Sequence, residues 1–145
     1  MTDTTPAFGT ALIGRTEKTL NAILERLLDG TGITEPQWVT LTLAVTGGPS
    51  PRAEFVARAA AVTRSTEEAV GERVAGLAGA GILAVGPDGV VQVTGEGRER
   101  WDAVRASIGE ITGKLWGDLP AEDLAVAGRV LGTVLARADA VLAAR

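Results

Sequence analysis

The side chains that could carry chemistry in this 145-residue chain are carboxylates, hydroxyls, arginines and three tryptophans, because it contains neither histidine nor cysteine. Disulfides, thiol nucleophiles, Cys/His zinc sites and imidazole acid–base catalysis are therefore excluded. Carboxylates alone would bind only hard cations, with little selectivity. The sequence also lacks a serine nucleophile elbow, a phosphate-binding loop and a calcium-binding Asp repeat. We therefore expect a protein that is not an enzyme and has no cofactor or metal.

The chain is acidic. Fourteen lysines and arginines stand against eighteen aspartates and glutamates, which gives a formal net charge of −4 and a pI near 4.9. An acidic protein has little nonspecific affinity for nucleic acid, because the phosphate backbone repels it. Local basic patches matter more than the total, so the charge weakens a nucleic-acid function without excluding it.

Neither a targeting segment nor a membrane segment is recognisable in the sequence. Residues 1–6 show no basic region followed by an apolar stretch, so we expect no signal peptide. No apolar run approaches the roughly eighteen residues that a membrane span requires. The expected location is the cytoplasm, without a membrane partner.

Hydrophobic periodicity divides the chain into six helical segments and one hairpin. Apolar residues recur at steps of three and four, and glycine or proline clusters separate the segments. Two β-prone runs flank Gly86–Gly89, whose composition predicts a hairpin turn. The predicted order is a helix over 8–29, a helix from Thr34 to before Gly47, a helix starting at Ser50–Pro51, a helix over 66–80, strands over 82–85 and 90–93, a helix over 96–116, and a last helix after Pro120.

Three helix starts carry capping signals. Thr34 with Gln37 three residues later is a capping box, and residues 65–68 (Ser-Thr-Glu-Glu) are interpreted as a second one. Ser50 and Pro51 are expected as the N-cap and first residue of the third helix. Thr94 is expected to cap the helix that follows the hairpin.

The order of elements predicts a mainly α protein with a small β-hairpin wing, in which a winged helix–turn–helix core is flanked by long helices. Three segments, Ile33–Trp38, Leu77–Leu83 and Val93–Gly97, resemble motifs of the MarR (multiple antibiotic resistance regulator) family in their order and spacing. The resemblance implies one domain over 1–145. Its winged core would span 33–97, and its dimerisation helices 8–30 and 96–144.

The resemblance also implies that the helix over 66–80 enters the major groove and presents side chains to base edges. We expect Arg73 and the residues at the start of this helix to contact DNA, with Arg98 on a phosphate. The full predicted set is Arg64, Ser65, Thr66, Glu68, Ala69, Glu72, Arg73 and Arg98. A second interpretation stays open: Glu67 and Glu68 would only stabilise a helix N-terminus, and Arg98 and Arg100 would be ordinary solvated residues.

Two features weaken the expected DNA interface. Wings of the family carry an Asp-x-Arg motif whose arginine enters the minor groove, but no arginine follows Asp88 in this chain. Residues 50–105 contain seven arginines and eight carboxylates. Tight DNA binders usually show a clear basic stripe, so the arginines would have to cluster on one face.

The aromatic residues are candidates for a ligand pocket. In the family, small aromatic effectors bind between the dimerisation helices and the winged core, and the resemblance implies that Phe8, Trp38 and Trp101 border this space, with Trp116 close to it. Stacking against indole would suit an aromatic ligand. The alternative is core packing, since each residue falls on the apolar stripe of its helix.

The last helix has an apolar stripe that needs a partner. A twofold homodimer would supply it, together with the first helix and the helix of Trp101; packing within one chain is the alternative. The predicted interface residues are Leu12, Leu124, Leu131, Val134 and Val141.

Two functions follow from these observations. The first is a ligand-responsive, homodimeric transcription regulator that binds a pseudo-palindromic double-stranded DNA operator and a small aromatic effector. The second is a winged-helix dimer that has lost DNA binding and serves as a small-molecule-binding or protein-interaction module. The acidic helix over 66–80 and the wing without arginine favour the second.

Overall fold

The computed structural model describes residues 5–144 and contains six helices and three short strands in that range. Their order confirms the predicted fold class, a mainly α chain with a β wing. The elements are α1 (Thr10–Leu28), α2 (Glu35–Gly47), β1 (Ser50–Pro51), α3 (Arg52–Thr63), α4 (Glu67–Gly79), β2 (Leu83–Val85), β3 (Val90–Val93), α5 (Gly95–Trp116) and α6 (Ala121–Ala143).

The first helix begins two residues later than predicted. Gly9 occupies the N-cap position, and its carbonyl accepts the first helical hydrogen bond, from Ile13 N at 3.0 Å. Phe8, predicted on the apolar face of this helix, lies before it and is 59% exposed. The apolar periodicity extends to the N-terminal side of Gly9, whereas the helical backbone begins only after Gly9.

The capping box at Thr34 is confirmed, whereas the second predicted box is wrong by one residue. Thr34 Oγ1 accepts from Gln37 N at 3.3 Å, and Thr34 N donates to Gln37 Oε1 at 3.0 Å. At α4 the N-cap is Thr66, whose hydroxyl accepts from Ala69 N at 3.1 Å. Ser65 therefore lies outside the helix, and its hydroxyl is available to another side chain.

The segment Ser50–Pro51 forms a short strand, and α3 begins at Arg52 with Pro51 as its N-cap, one residue later than predicted. It pairs antiparallel with β3 in the register Ser50↔Val91, and the strand order is β1-β3-β2. Proline is tolerated on an edge strand because its missing N–H breaks no ladder bond there. The next N–H, of Arg52, donates to Gly89 O at 2.9 Å, which ties the start of α3 to the wing.

The predicted turn between β2 and β3 is confirmed. Gly86 N donates to Val90 O at 3.0 Å, and Gly89 N donates to Gly86 O at 2.8 Å. Asp88 Oδ1 accepts from Val90 N at 3.1 Å. Gly89 has a φ of 77°, a conformation that glycine adopts without steric cost.

By internal packing the chain divides into two compact units, residues 1–108 and 109–145. The first contains the winged core, whose buried apolar side chains come from α1–α5, β2 and β3 and include Leu41, Phe55 and Leu77. The second contains the end of α5 and all of α6, which has no buried residue. The expectation of one domain over 1–145 stays a prediction. Among the described residues, no helix combines the length and apolarity that crossing a bilayer requires.

The wing and α5 meet at a contact that only glycine permits. Gly97 is buried in the first turn of α5, and a β-carbon at this position would collide with the carbonyl oxygen of Ile82. The Ile82 carbonyl carbon would lie 2.9 Å away, which is also too close. Because both neighbours are backbone atoms, they cannot move aside as a flexible side chain could.

We expect Gly97→Ala to lower the free energy of unfolding by about 1–3 kcal/mol, the usual cost of forcing extra atoms into a packed site. Gly95→Ala is the matched control, since a β-carbon there has no atom within 4 Å. Urea denaturation of both variants measures the difference. Equal stability of the two variants would show that α5 and the wing do not meet this closely.

Candidate nucleic-acid interface

The connection between α3 and α4 is a tight turn held in an unusual backbone conformation. Arg64 has φ 55° and ψ 39°, and among residues 5–144 it is the only non-glycine residue with positive φ. The following amide, Ser65 N, donates to Ala60 O at 3.1 Å. The turn therefore fixes the direction of α4 relative to α3, as a helix–turn–helix requires.

Helix α4 buries one side and exposes carboxylates on the opposite side. Val70, Val74 and Leu77 are buried against the core. At 100° per residue, Glu68 and Glu72 lie opposite them, and both are exposed. The outward surface of α4 is therefore acidic, as the sequence indicated.

Arg73 lies at the flank of α4 and contacts the preceding turn. Its Nη1 donates to Ser65 Oγ at 3.2 Å, and the residue is half-buried. It lines a shallow groove of about 220 Å³ between the start of α2 and the end of α3. The structure thus brings together two residues of the predicted DNA-binding set, Arg73 and Ser65, which the sequence placed eight positions apart.

The two arginines that follow the wing both have acidic neighbours. Arg98 Nε lies 3.2 Å from Asp102 Oδ1, and its guanidinium carbon lies 5.3 Å from the centre of the Trp101 ring. Arg100 Nη2 lies 3.0 Å from Glu96 Oε1, and its Nη1 donates to Thr31 O at 3.4 Å. These pairs are exposed, so each contributes little stability and can exchange partners.

Two further arginines lie beside glycines, and their surroundings could not be derived from the sequence. The Nη2 atom of Arg52 lies 3.1 Å from the position that a β-carbon of Gly71 would occupy on α4. The guanidinium of Arg58 lies beside Gly47 at the end of α2, and its Cζ is 5.6 Å from the Phe55 ring centre. The only sequence signal was the glycine within α4, where alanine would favour the helix.

Trp38 and Trp101 stack on each other. Their ring centres are 6.1 Å apart at an interplanar angle of 15°. Trp38 is buried in the core, whereas Trp101 is half-buried and donates from Nε1 to Thr42 Oγ1 at 3.1 Å. Trp101 therefore contacts Trp38 and also Arg98.

Phe8, the other aromatic residue predicted to border the pocket, is exposed and precedes α1. Shallow grooves of about 510 and 250 Å³ lie near the α1–α2 connection, lined by residues that include Gly30, Ile33 and Val104. Neither groove is lined by a tryptophan. Within residues 5–144, no group of three or more carboxylates is arranged to hold a metal ion.

The predicted interface residues of α6 are exposed apolar side chains. Leu131 is 47% exposed and Val134 38%, and Leu124 and Val141 are exposed as well. Leu12 of α1 is half-buried. More apolar residues of α6 are exposed than the prediction named, including Val126, Val130, Leu135 and Leu142.

No protein-family model matches the chain, and no curated protein matches it by sequence. Solved structures match its fold over most of its length. Reduced MarR from E. coli is 19% identical and has a TM-score of 0.70, with 90% of this chain and 96% of that one covered. A MarR-family protein of Mycobacterium tuberculosis in complex with DNA is 21% identical and also has a TM-score of 0.70, with coverages of 89% and 98%.

A third similar structure is NadR in complex with 4-hydroxyphenylacetate. It is 18% identical with a TM-score of 0.72, and the match covers 91% of this chain and 99% of that one. Identities this low describe the fold and not the function. The chain has the winged helix–turn–helix fold of the MarR-type transcription regulators.

Proposed function

We propose that this protein is a homodimeric, DNA-binding transcription regulator that responds to a small aromatic ligand. The observation that carries the proposal is the α3–turn–α4 unit with its wing, built on a single core. The M. tuberculosis protein of the same fold binds DNA. In such an arrangement α4 enters the major groove, and the two copies in a dimer read half-sites about one helical turn apart.

Arg73 is the proposed base-reading residue of α4. Its contact with Ser65 restricts the guanidinium before DNA binds, which lowers the entropy cost of ordering it on a base edge. Arginine is the side chain that most often recognises guanine through two hydrogen bonds. Glu68 and Glu72 repel the phosphate backbone, so we expect modest affinity.

The dimer would form through α1, the end of α5 and α6. A helix that exposes apolar residues on much of its surface is unstable alone, because burying leucine and valine away from water lowers the free energy. A second copy supplies an apolar surface of the same composition. The exposed residues of α6 support this proposal.

An aromatic effector is the proposed signal. NadR of the same fold binds 4-hydroxyphenylacetate. In this chain Trp101 is half-buried and stacked on Trp38, so a ligand that displaces or extends the stack would shift the position of α5. A ligand regulates DNA binding only if it binds one arrangement of the wings better than another.

The second candidate function is a winged-helix dimer without DNA affinity. The exposed carboxylates of α4 favour it, as does a wing turn whose exposed tip carries Pro87 and Asp88 in place of an arginine. Selection of bound fragments from genomic DNA at low salt separates the two candidates. A dimer that retains no duplex at any ionic strength would support the second.

We expect Leu131→Asp to weaken the dimer, since it places an unpaired charge in an apolar interface. Ala136→Asp is the matched control, because on the helical wheel this residue lies opposite the stripe from Leu124 to Val141. Light scattering over a micromolar concentration series measures both. A wild-type monomer, or equal dissociation of the two variants, would contradict the proposed interface.

We expect Arg73→Ala to abolish preference for the selected duplex, with a loss of about 1–3 kcal/mol, and Arg98→Ala to weaken binding to all sequences alike. Fluorescence anisotropy with a selected and a scrambled duplex distinguishes these effects. Unchanged selectivity of Arg73→Ala would show that α4 does not read bases through this residue.

We expect salicylate-like compounds to quench tryptophan emission, because a ligand at the Trp38–Trp101 pair alters the surroundings of both rings. The titration uses Trp116→Phe, which leaves these two as the only tryptophans of the chain. A Trp101→Ala version of the same protein lacks the half-buried ring of the pair, so its remaining Trp38 should respond only at a much higher ligand concentration. A response of that variant at an unchanged ligand concentration would place the ligand elsewhere.

A further inference from the structure

The charge that α4 lacks on its outward side is supplied by another helix. Arg52, the first residue of α3, extends its guanidinium to Gly71 on α4, where Nη2 lies 3.1 Å from the position of an absent β-carbon. We propose that Arg52 is a DNA phosphate contact of this protein, positioned beside α4 by the glycine at position 71. This inference rests on the proposed DNA-binding function.

The backbone of Arg52 is fixed at the junction of the elements that a winged helix applies to DNA. Its N–H donates to Gly89 O in the wing turn at 2.9 Å. The two preceding residues pair with Val90 and Val91 of β3. The backbone of Arg52 is therefore tied to the wing turn, while its guanidinium lies beside α4, so one cation lies between these two elements.

Gly71 makes this position available. It is half-buried on the flank of α4, between the buried side and the exposed carboxylates. A side chain here would press on the guanidinium, whereas glycine lets it approach the helix backbone. Glycine inside a helix costs roughly 1 kcal/mol relative to alanine, and the space it gives Arg52 is the gain that the structure shows.

Charge pairing separates Arg52 from the other arginines near the wing. Arg98 and Arg100 each lie within salt-bridge distance of a carboxylate. Among the described residues Arg52 has no such carboxylate partner, and it is exposed. A phosphate would therefore bind this guanidinium without displacing a paired carboxylate. Arginine also matches phosphate geometry with two parallel hydrogen bonds.

The experiment compares Arg52→Ala with Arg58→Ala, which removes the same charge from the same helix. Arg58 is the matched control because its guanidinium lies at Gly47 and Phe55 and not on α4. The probe is a mixed-sequence duplex of about 30 base pairs, titrated by anisotropy from about 50 to about 200 mM KCl. Circular dichroism melting confirms that each variant is folded, and Arg52→Lys tests whether the charge suffices.

We expect Arg52→Ala to lower affinity on the order of tenfold at the lowest salt and to reduce the slope of log K against log salt by about 0.9 per Arg52, or about 1.8 for a dimer. Arg58→Ala should keep the wild-type slope, and Arg52→Lys should restore most of it. Equal slopes for Arg52→Ala, Arg58→Ala and the wild type would overturn the assignment while leaving DNA binding intact. A wild type that binds no duplex at any salt concentration would overturn the proposed function, and the assignment with it.

Discussion

The hydroxyl of Thr94 and the glycine three residues after it hold the wing onto the helical core. The single proton of Thr94 Oγ1 is donated toward two carbonyl oxygens, Gly81 O at 2.6 Å and Ile82 O at 3.1 Å. The same oxygen accepts from Gly97 N at 2.9 Å. Thr94 N also donates to Ile82 O at 3.1 Å. One side chain thus joins the end of α4, the start of the hairpin and the first turn of α5. The direction of the wing relative to α4 depends on this junction, since a hairpin of two short strands is only marginally stable alone.

The surface around α4 combines carboxylates on the helix with arginines beside it. Helix α4 is acidic at its start, which suits the positive end of a helix dipole and favours the helix itself. The same carboxylates lower the attraction of this helix to phosphate, so the positive charge has to come from outside its outward surface. Two arginines beside that surface carry positive charge: Arg52 reaches α4 from α3, and Arg73 lies on the flank of α4 in contact with Ser65. Net charge along a segment of sequence therefore says little about the charge of a surface.

Local signals in the sequence predicted most of the fold, whereas contacts between distant residues could not be predicted. Thr34 with Gln37, and the turn at Gly86–Gly89, act within a few residues, so their geometry follows from the sequence alone. Strand β1 was missed because two residues show no periodicity, and a serine followed by proline is equally typical of a helix start. The Trp38–Trp101 stack and the Arg52–Gly71 approach join residues far apart in the chain. The predicted set of DNA-contacting residues remains a prediction, and Arg52 was not in it.

The left-handed backbone at Arg64 has a consequence for how this protein can change over evolutionary time. An L-residue in this conformation costs roughly 1–2 kcal/mol relative to glycine, and asparagine also tolerates it well. Selection for stability would favour glycine or asparagine at position 64 in any lineage where the arginine side chain has no use. A lineage that keeps arginine there retains a guanidinium despite the free-energy cost of the left-handed backbone. The identity of this one turn residue among related chains therefore records whether the guanidinium itself is needed in this turn.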